Sequence, residues 1–116
     1  MSLGFAYGKF KDRKKAIESY KEAIRLNPND PDAQYNLGII YGEMGNYPQA
    51  LELFKETIRL KPDDADAHYG LGFTYMMMGN FNDAAKEAEI LKELNQELSD
   101  ELFKSISEEK EGKKGH

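Results

Sequence analysis

The chain has 116 residues and a mass of 13.2 kDa; 40% of the residues are hydrophobic, 32% are charged, and the net charge is −5. It carries no cysteine, which excludes disulfides and thiol catalysis but leaves the compartment open, with the cytoplasm as the default. No apolar run approaches membrane-spanning length and no signal peptide is visible, so neither a membrane nor secretion is expected.

Taken in order, the chain repeats itself at a displacement of 34 residues. Leu3, Leu37 and Leu71 share one column, followed by Gly4, Gly38 and Gly72, then Tyr7, Tyr41 and Tyr75. Phe10, Met44 and Met78 come next. Gly45 and Gly79 then mark a turn, where the first unit has Lys11. Ala16, Ala50 and Ala84 align in the second half of each unit, as do Leu26, Leu60 and Leu94, and Pro28 and Pro62 close the first two.

These columns divide the chain into a truncated unit over 1–30, a full unit over 31–64 and a full but divergent one over 65–98. The first unit begins inside its first helix, so about half of that helix is missing. Helices are expected over 13–26, 32–44, 47–60, 66–78 and 81–94. Leu37 and Tyr41 sit four apart on one face, as do Phe54 and Ile58 on the partner helix. Gly38 and Ala50 are small so that two backbones can approach. Gly45 ends the first helix in a left-handed conformation, and Asn46 is placed to cap the second. Asn27-Pro28-Asn29-Asp30 and Lys61-Pro62-Asp63-Asp64 read as loops.

The third unit drifts after Ala84. It has Ala88 where the second has Phe54, Leu91 where the second has Thr57, and Gln96 where Pro62 should recur. Such drift suits an end repeat. Leu98, Leu102, Phe103 and Ile106 then form one stripe on a cap helix over 97–109, with Ser99, Asp100, Glu101, Lys104 and Ser107 on its outer face. Only Asn95-Gln96 interrupts the pattern, so a single helix over 81–109 is the alternative. Residues 110–116 lack apolar side chains and are expected to be a disordered tail.

In period and in the order of its small, aromatic and proline positions, the chain resembles the tetratricopeptide repeat family. The likeness is close over 31–62, good over 1–30 and partial over 65–98. The resemblance implies an all-α fold of tandem antiparallel helix pairs stacked in a right-handed α-solenoid with a C-terminal capping helix. It also implies a concave groove lined by the first helix of each pair, a peptide or protein partner, and no catalysis.

The residues themselves offer no catalytic constellation, cofactor cradle or metal set. His68 reads as a packed structural histidine, and Asp63, Asp64 and Asp66 as negative charge at a helix start rather than metal ligands. Lys9, Lys11, Arg13, Lys14 and Lys15 cluster at the first turn, but an acidic protein with no aromatic interleaving there is not expected to bind nucleic acid.

The resemblance places Tyr35, Asn36, Ile39, Tyr69, Phe73, Met76 and Met77 in the groove. It adds Asp32, Gly42, Glu43, Asp66 and Gly70, with Phe5, Gly8 and Lys9 from the first unit. One subclass binds acidic chaperone C-termini through a clamp of lysine, asparagine and arginine. Here Asn36 alone matches, against Met1, Phe5, Asp66 and Gly70, so that clamp is absent. The expected function is a non-enzymatic interaction module that takes an apolar or aromatic peptide segment, or an amphipathic helix, in the groove. The alternative is self-association of a fragment of a larger scaffold, which makes a homo-oligomer possible.

Overall fold

The computed structural model describes the backbone of residues 3–114 and the side chains of residues 12–111. Its helices are α1 (Leu3–Leu26), α2 (Pro31–Glu43), α3 (Tyr47–Leu60), α4 (Ala65–Met77), α5 (Phe81–Leu94) and α6 (Gln96–Lys114). Each packs against the next, and α4 also meets α6 and α2. The result is a helical solenoid built from the pairs α2–α3 and α4–α5, closed by α6. Among the described residues, no helix is long and apolar enough to cross a membrane.

Glycine makes the turns inside the pairs. Gly45 and Gly79 have φ of 81° and 82°, a region that costs a side chain a Cβ clash. Around each, two backbone bonds close the helix end. Gly45 and Asn46 donate to Gly42 and Tyr41, while Gly79 and Asn80 donate to Met76 and Tyr75. Asn46 therefore serves through its backbone, and its side chain makes no capping bond. In the first unit the turn is absent altogether. Lys11 stands in the glycine column, and α1 runs unbroken through it from Leu3 to Leu26. The expected half-helix, turn and helix of that unit are one helix, because no residue there takes the left-handed conformation cheaply.

Asp30 caps α2, its carboxylate accepting from the Asp32 N–H at 3.0 Å, and Asp64 caps α4 through the Ala67 N–H at 3.2 Å. Between α5 and α6 the break falls at Asn95, whose extended backbone (φ −162°) leaves the helix. Its side-chain oxygen then accepts from the Leu98 N–H at 3.2 Å, which supplies the stop that proline supplies elsewhere. The last helix continues to Lys114 rather than ending near Glu109, so the expected disordered tail from 110 is helical as far as the described residues go.

Small columns hold the core together, and Ala50 packs against the helix of Gly38 as expected from sequence. A Cβ on Gly38 would lie 3.0 Å from the Phe54 ring, and one on Gly42 4.0 Å from the Ala50 Cβ. Gly38 thus makes room for Phe54, and Ala50 sits against Gly42. The third unit solves the same problem differently. Ala88 is too small to reach Gly72, and Leu102 from α6 fills the space that Phe54 fills one repeat earlier. Leu91, Ala88 and Leu102 are all 0% exposed. Ser99, expected on the outer face of α6, is also 0% exposed, and its hydroxyl donates to the Ala88 carbonyl at 2.8 Å. A small donor at this point lets α6 come close to α5.

Truncating Leu102 should therefore leave a cavity over Gly72 that the glycine backbone cannot fill. Leu102→Ala is expected to destabilise the fold by about 2–5 kcal/mol in denaturant unfolding. A variant as stable as the wild type would mean that α6 does not close the array.

Candidate functional site

Two first helices and one second helix enclose an apolar pocket of about 270 Å³. From α2 come Tyr35, Gly38, Ile39 and Gly42; from α4, Tyr69, Gly70, Phe73 and Thr74; from α3, Tyr47 and Phe54. Its walls are aromatic rings. The Tyr69 and Phe73 rings lie nearly parallel, 6.4 Å apart with an interplanar angle of 20°, and Tyr35 lies 5.8 Å from Phe54. Along the floor, Gly38 and Gly70 make room for the Phe54 ring, and Gly42 leaves open space beside it. A Cβ on Gly70 would come within 2.8 Å of the Phe54 ring, and nothing but Ala50 lies near one on Gly42.

Of the residues expected in the groove, Tyr35, Ile39, Tyr69 and Phe73 meet in this pocket. Phe73 is 40% exposed, an unusual state for such a side chain. Asn36, half-buried, and Met77, exposed, lie on the same two helices but do not line it. Met76 is 3% exposed and belongs to the core with Leu102 and Ile106. The same column holds Gly42 in α2, open to the pocket, so α6 is what turns it into core in α4. Phe5, Gly8 and Lys9 lie outside the residues whose side chains are described. Tyr47, Phe54 and Thr74 were missed by sequence reasoning. Phe54 and Thr74 stay buried, at 2% and 3% exposure, and line the pocket from below, while Tyr47 is half-buried beside them.

Asp32, Glu43 and Asp66 are exposed, but none of them lines the pocket, and Glu43 pairs with Arg13 at 3.7 Å. Burial raises the pKa of the Tyr35 phenol, and the Asp66 and Asp64 carboxylates raise it further. Tyr69 is shifted upward too, by burial and then by Glu101.

His68 lies away from the pocket, 6% exposed. Its Nδ1 is 2.7 Å from Glu87 Oε1 and its Nε2 is 2.9 Å from the Pro62 carbonyl. Both neighbours accept, so the ring satisfies both only when it carries two protons. The bond to Glu87 holds its pKa above the usual histidine value, against the opposing effect of burial. Gln34 fills the same column one repeat earlier and points its Nε2 at the Pro28 carbonyl, 3.5 Å away. The column thus ties each first helix to the loop before it. His68 adds a tie to α5. Among the described residues, no group of three or more His, Cys, Asp or Glu is placed to hold a metal ion.

Stacked antiparallel helix pairs with an apolar pocket between successive first helices define a class, the helical-repeat interaction scaffold. A family model described as TPR repeat matches residues 12–45 and 40–79, more than half of the sequence, and the chain belongs to that family. Among solved structures it is similar to MamA (30% identity, TM-score 0.64, 98% of this chain and 58% of that one). It is also similar to YrrB, described as a TPR protein with an unusual peptide-binding site (27% identity, TM-score 0.75, 88% and 54%). The first TPR of Spaghetti (RPAP3), bound to the HSP90 peptide SRMEEVD, shares the fold at 24% identity (TM-score 0.76, 90% and 85%). The chain spans 58%, 51% and 55% of the lengths of three MamA structures. No curated protein sequence gives a significant match.

The His68–Glu87 pair makes stability depend on pH. Because the folded ring binds its proton more tightly than the unfolded one, this stabilisation is complete below about pH 6.5. It is lost as pH rises through the higher, folded-state value. The melting temperature should therefore fall across that window, and His68→Gln with Glu87→Gln should flatten the slope. An equally steep wild-type and double-variant profile would place the titration elsewhere.

Proposed function

We propose that the chain is a non-enzymatic interaction module whose pocket between α2 and α4 receives an apolar or aromatic side chain from a peptide segment of a partner protein. The observation that carries this reading is the pocket itself, ring-walled and glycine-floored, with Phe73 left 40% exposed at its edge. Its volume of about 270 Å³ falls just under the ~300–1,000 Å³ of small-molecule sites. That suits one or two anchoring side chains of a longer ligand. Exposed apolar area of this kind generally marks a binding surface.

Charge narrows the partner. With the Asp66 and Asp64 carboxylates acting on Tyr35 in the pocket wall, an apolar anchor flanked by lysine or arginine is favoured. An acidic C-terminal peptide is repelled, and the clamp columns hold no lysine or arginine to receive its carboxylate. Peptide recognition by YrrB and by the Spaghetti (RPAP3) domain supports the general role, since both present the same helical scaffold.

The test is a selection from a random peptide library followed by titration of the hits. Selected peptides should share an aromatic or large aliphatic anchor next to basic residues. Phe73→Ala should weaken them about ten- to a hundredfold, the equivalent of burying one ring at ~1.5–3 kcal/mol. Gly42→Leu, whose Cβ would meet only Ala50 at an ordinary 4.0 Å contact, should fill the pocket and abolish binding while the helical signal stays intact. Hits that bind both variants at full affinity would show that the pocket is not the site.

A further inference from the structure

The second helix of each pair presents three columns to its neighbours, and their burial differs along the array. In α3 these are Ala50, Phe54 and Thr57, exposed by 0%, 2% and 0%. In α5 they are Ala84, Ala88 and Leu91, each 0% exposed. Both helices are covered on two sides, α3 by α2 and α4, and α5 by α4 and α6. On α1 the same columns fall on Ala16, Tyr20 and Ala23, and all three are only half-buried. They pack against α2 on one side, and among the described residues no first helix covers the other. Tyr20 joins the core cluster with Ile17 and Ile24 only at its edge.

The sequence carries the missing helix. Leu3, Gly4 and Tyr7 repeat the columns of Leu37, Gly38 and Tyr41, which in α2 cover α3. They cannot cover α1 in the same chain, since they are part of it. Folding back requires a turn at residue 11, where the equivalent Gly45 and Gly79 take φ of 81° and 82° and this chain has Lys11. A helix that cannot bend at its hinge can still deliver its first half to another copy. Exchange of an identical element between protomers is a low-cost route to a dimer.

We propose that the half-covered face of α1 at Ala16, Tyr20 and Ala23 is a dimer interface that accepts residues 3–10 of a second copy in reciprocal exchange. The two α1 helices then run antiparallel about an axis near Lys11. The partner's Gly4 meets Tyr20 as Gly38 meets Phe54, and its Gly8 meets Ala16 as Gly42 meets Ala50. Lys9, Lys11, Lys14 and Lys15 of both copies come near the axis, so like-charge repulsion opposes the exchange and added salt strengthens it. This inference is independent of the peptide pocket, which lies between α2 and α4.

Disulfide trapping reads the exchange directly, because the chain has no cysteine of its own. The 4.0 Å between a Cβ on Gly42 and that of Ala50 is within bonding range for two cysteines. The equivalent pair is Gly8 and Ala16. Within one straight helix these are about 12 Å apart along the axis, too far to bond. A mixture of the Gly8→Cys and Ala16→Cys variants, oxidised at raised salt, should give a covalent heterodimer on a non-reducing gel. Either variant alone should give much less. In parallel, the wild type should shift in sedimentation from 13.2 kDa towards twice that mass as concentration rises, and Lys11→Gly should return it to monomer with unchanged helicity. A Gly8→Cys/Ala16→Cys chain that closes its own disulfide as a monomer would overturn the proposal in favour of folding back. A wild type that remains monomeric, with no heterodimer trapped, would overturn it outright.

Discussion

The ring of Phe54 sits between two glycines that belong to successive repeats. A Cβ on Gly38 of α2 would approach it to 3.0 Å and one on Gly70 of α4 to 2.8 Å. Three helices meet at this ring, which is 2% exposed overall yet forms part of the pocket floor. Each glycine gives up roughly 1 kcal/mol of helix propensity relative to alanine, and burial of a phenylalanine offsets that. The close approach fixes how α4 lies on the α2–α3 pair. A third glycine, Gly42, meets little but Ala50, and the pocket lined by Tyr35, Tyr69 and Phe73 opens beside the ring. Packing and recognition surface thus arise from one substitution pattern, small residues around one large ring.

The arrangement is not repeated mechanically. One repeat later the large side chain is supplied by α6, through Leu102 over Gly72, and Ala88 gives it room. That helix turns its remaining face outward, with Glu101, Lys104 and Ser107 exposed. At the other end no such closure exists among the described residues, and the columns of α1 are left half-covered. The two ends of one repeat pattern therefore differ in what they can still bind.

Much of this was legible in the sequence, because a 34-residue column records a shared environment. Tyr41, Leu37 and Ala50 were assigned to the core from their columns and are buried. Gly45 and Gly79 were assigned to turns and have positive φ. Columns mislead where the neighbour changes. Met76 shares a column with Gly42, yet α6 covers the one and the other is left half-buried at the pocket. Ser99 reads as a polar outer residue, but its hydroxyl can be satisfied by a helix carbonyl, so the seam between α5 and α6 tolerates it. At Lys11 the departure was visible, and its consequence, an unbroken helix, follows from side-chain sterics at positive φ. Gly38 and Ala50 were rightly read as room for close packing, but that Gly38 faces Phe54 while Ala50 faces Gly42 was not legible, since column position gives the face of a helix but not which turn of its partner lies opposite.

Exposed glycine-to-alanine changes in helices ordinarily stabilise, so the sign of one substitution decides whether the Phe54 joint governs the fold. Gly70→Ala, measured by denaturant unfolding, should destabilise the protein, because its methyl group would press on a ring already in close contact with Gly38. Combining it with Phe54→Leu should recover part of the loss, with a coupling of about 1 kcal/mol or more between the two sites. If Gly70→Ala instead raised stability by roughly the 1 kcal/mol of helix propensity, with effects additive to those of Phe54→Leu, the ring would not be wedged there and the account would fail.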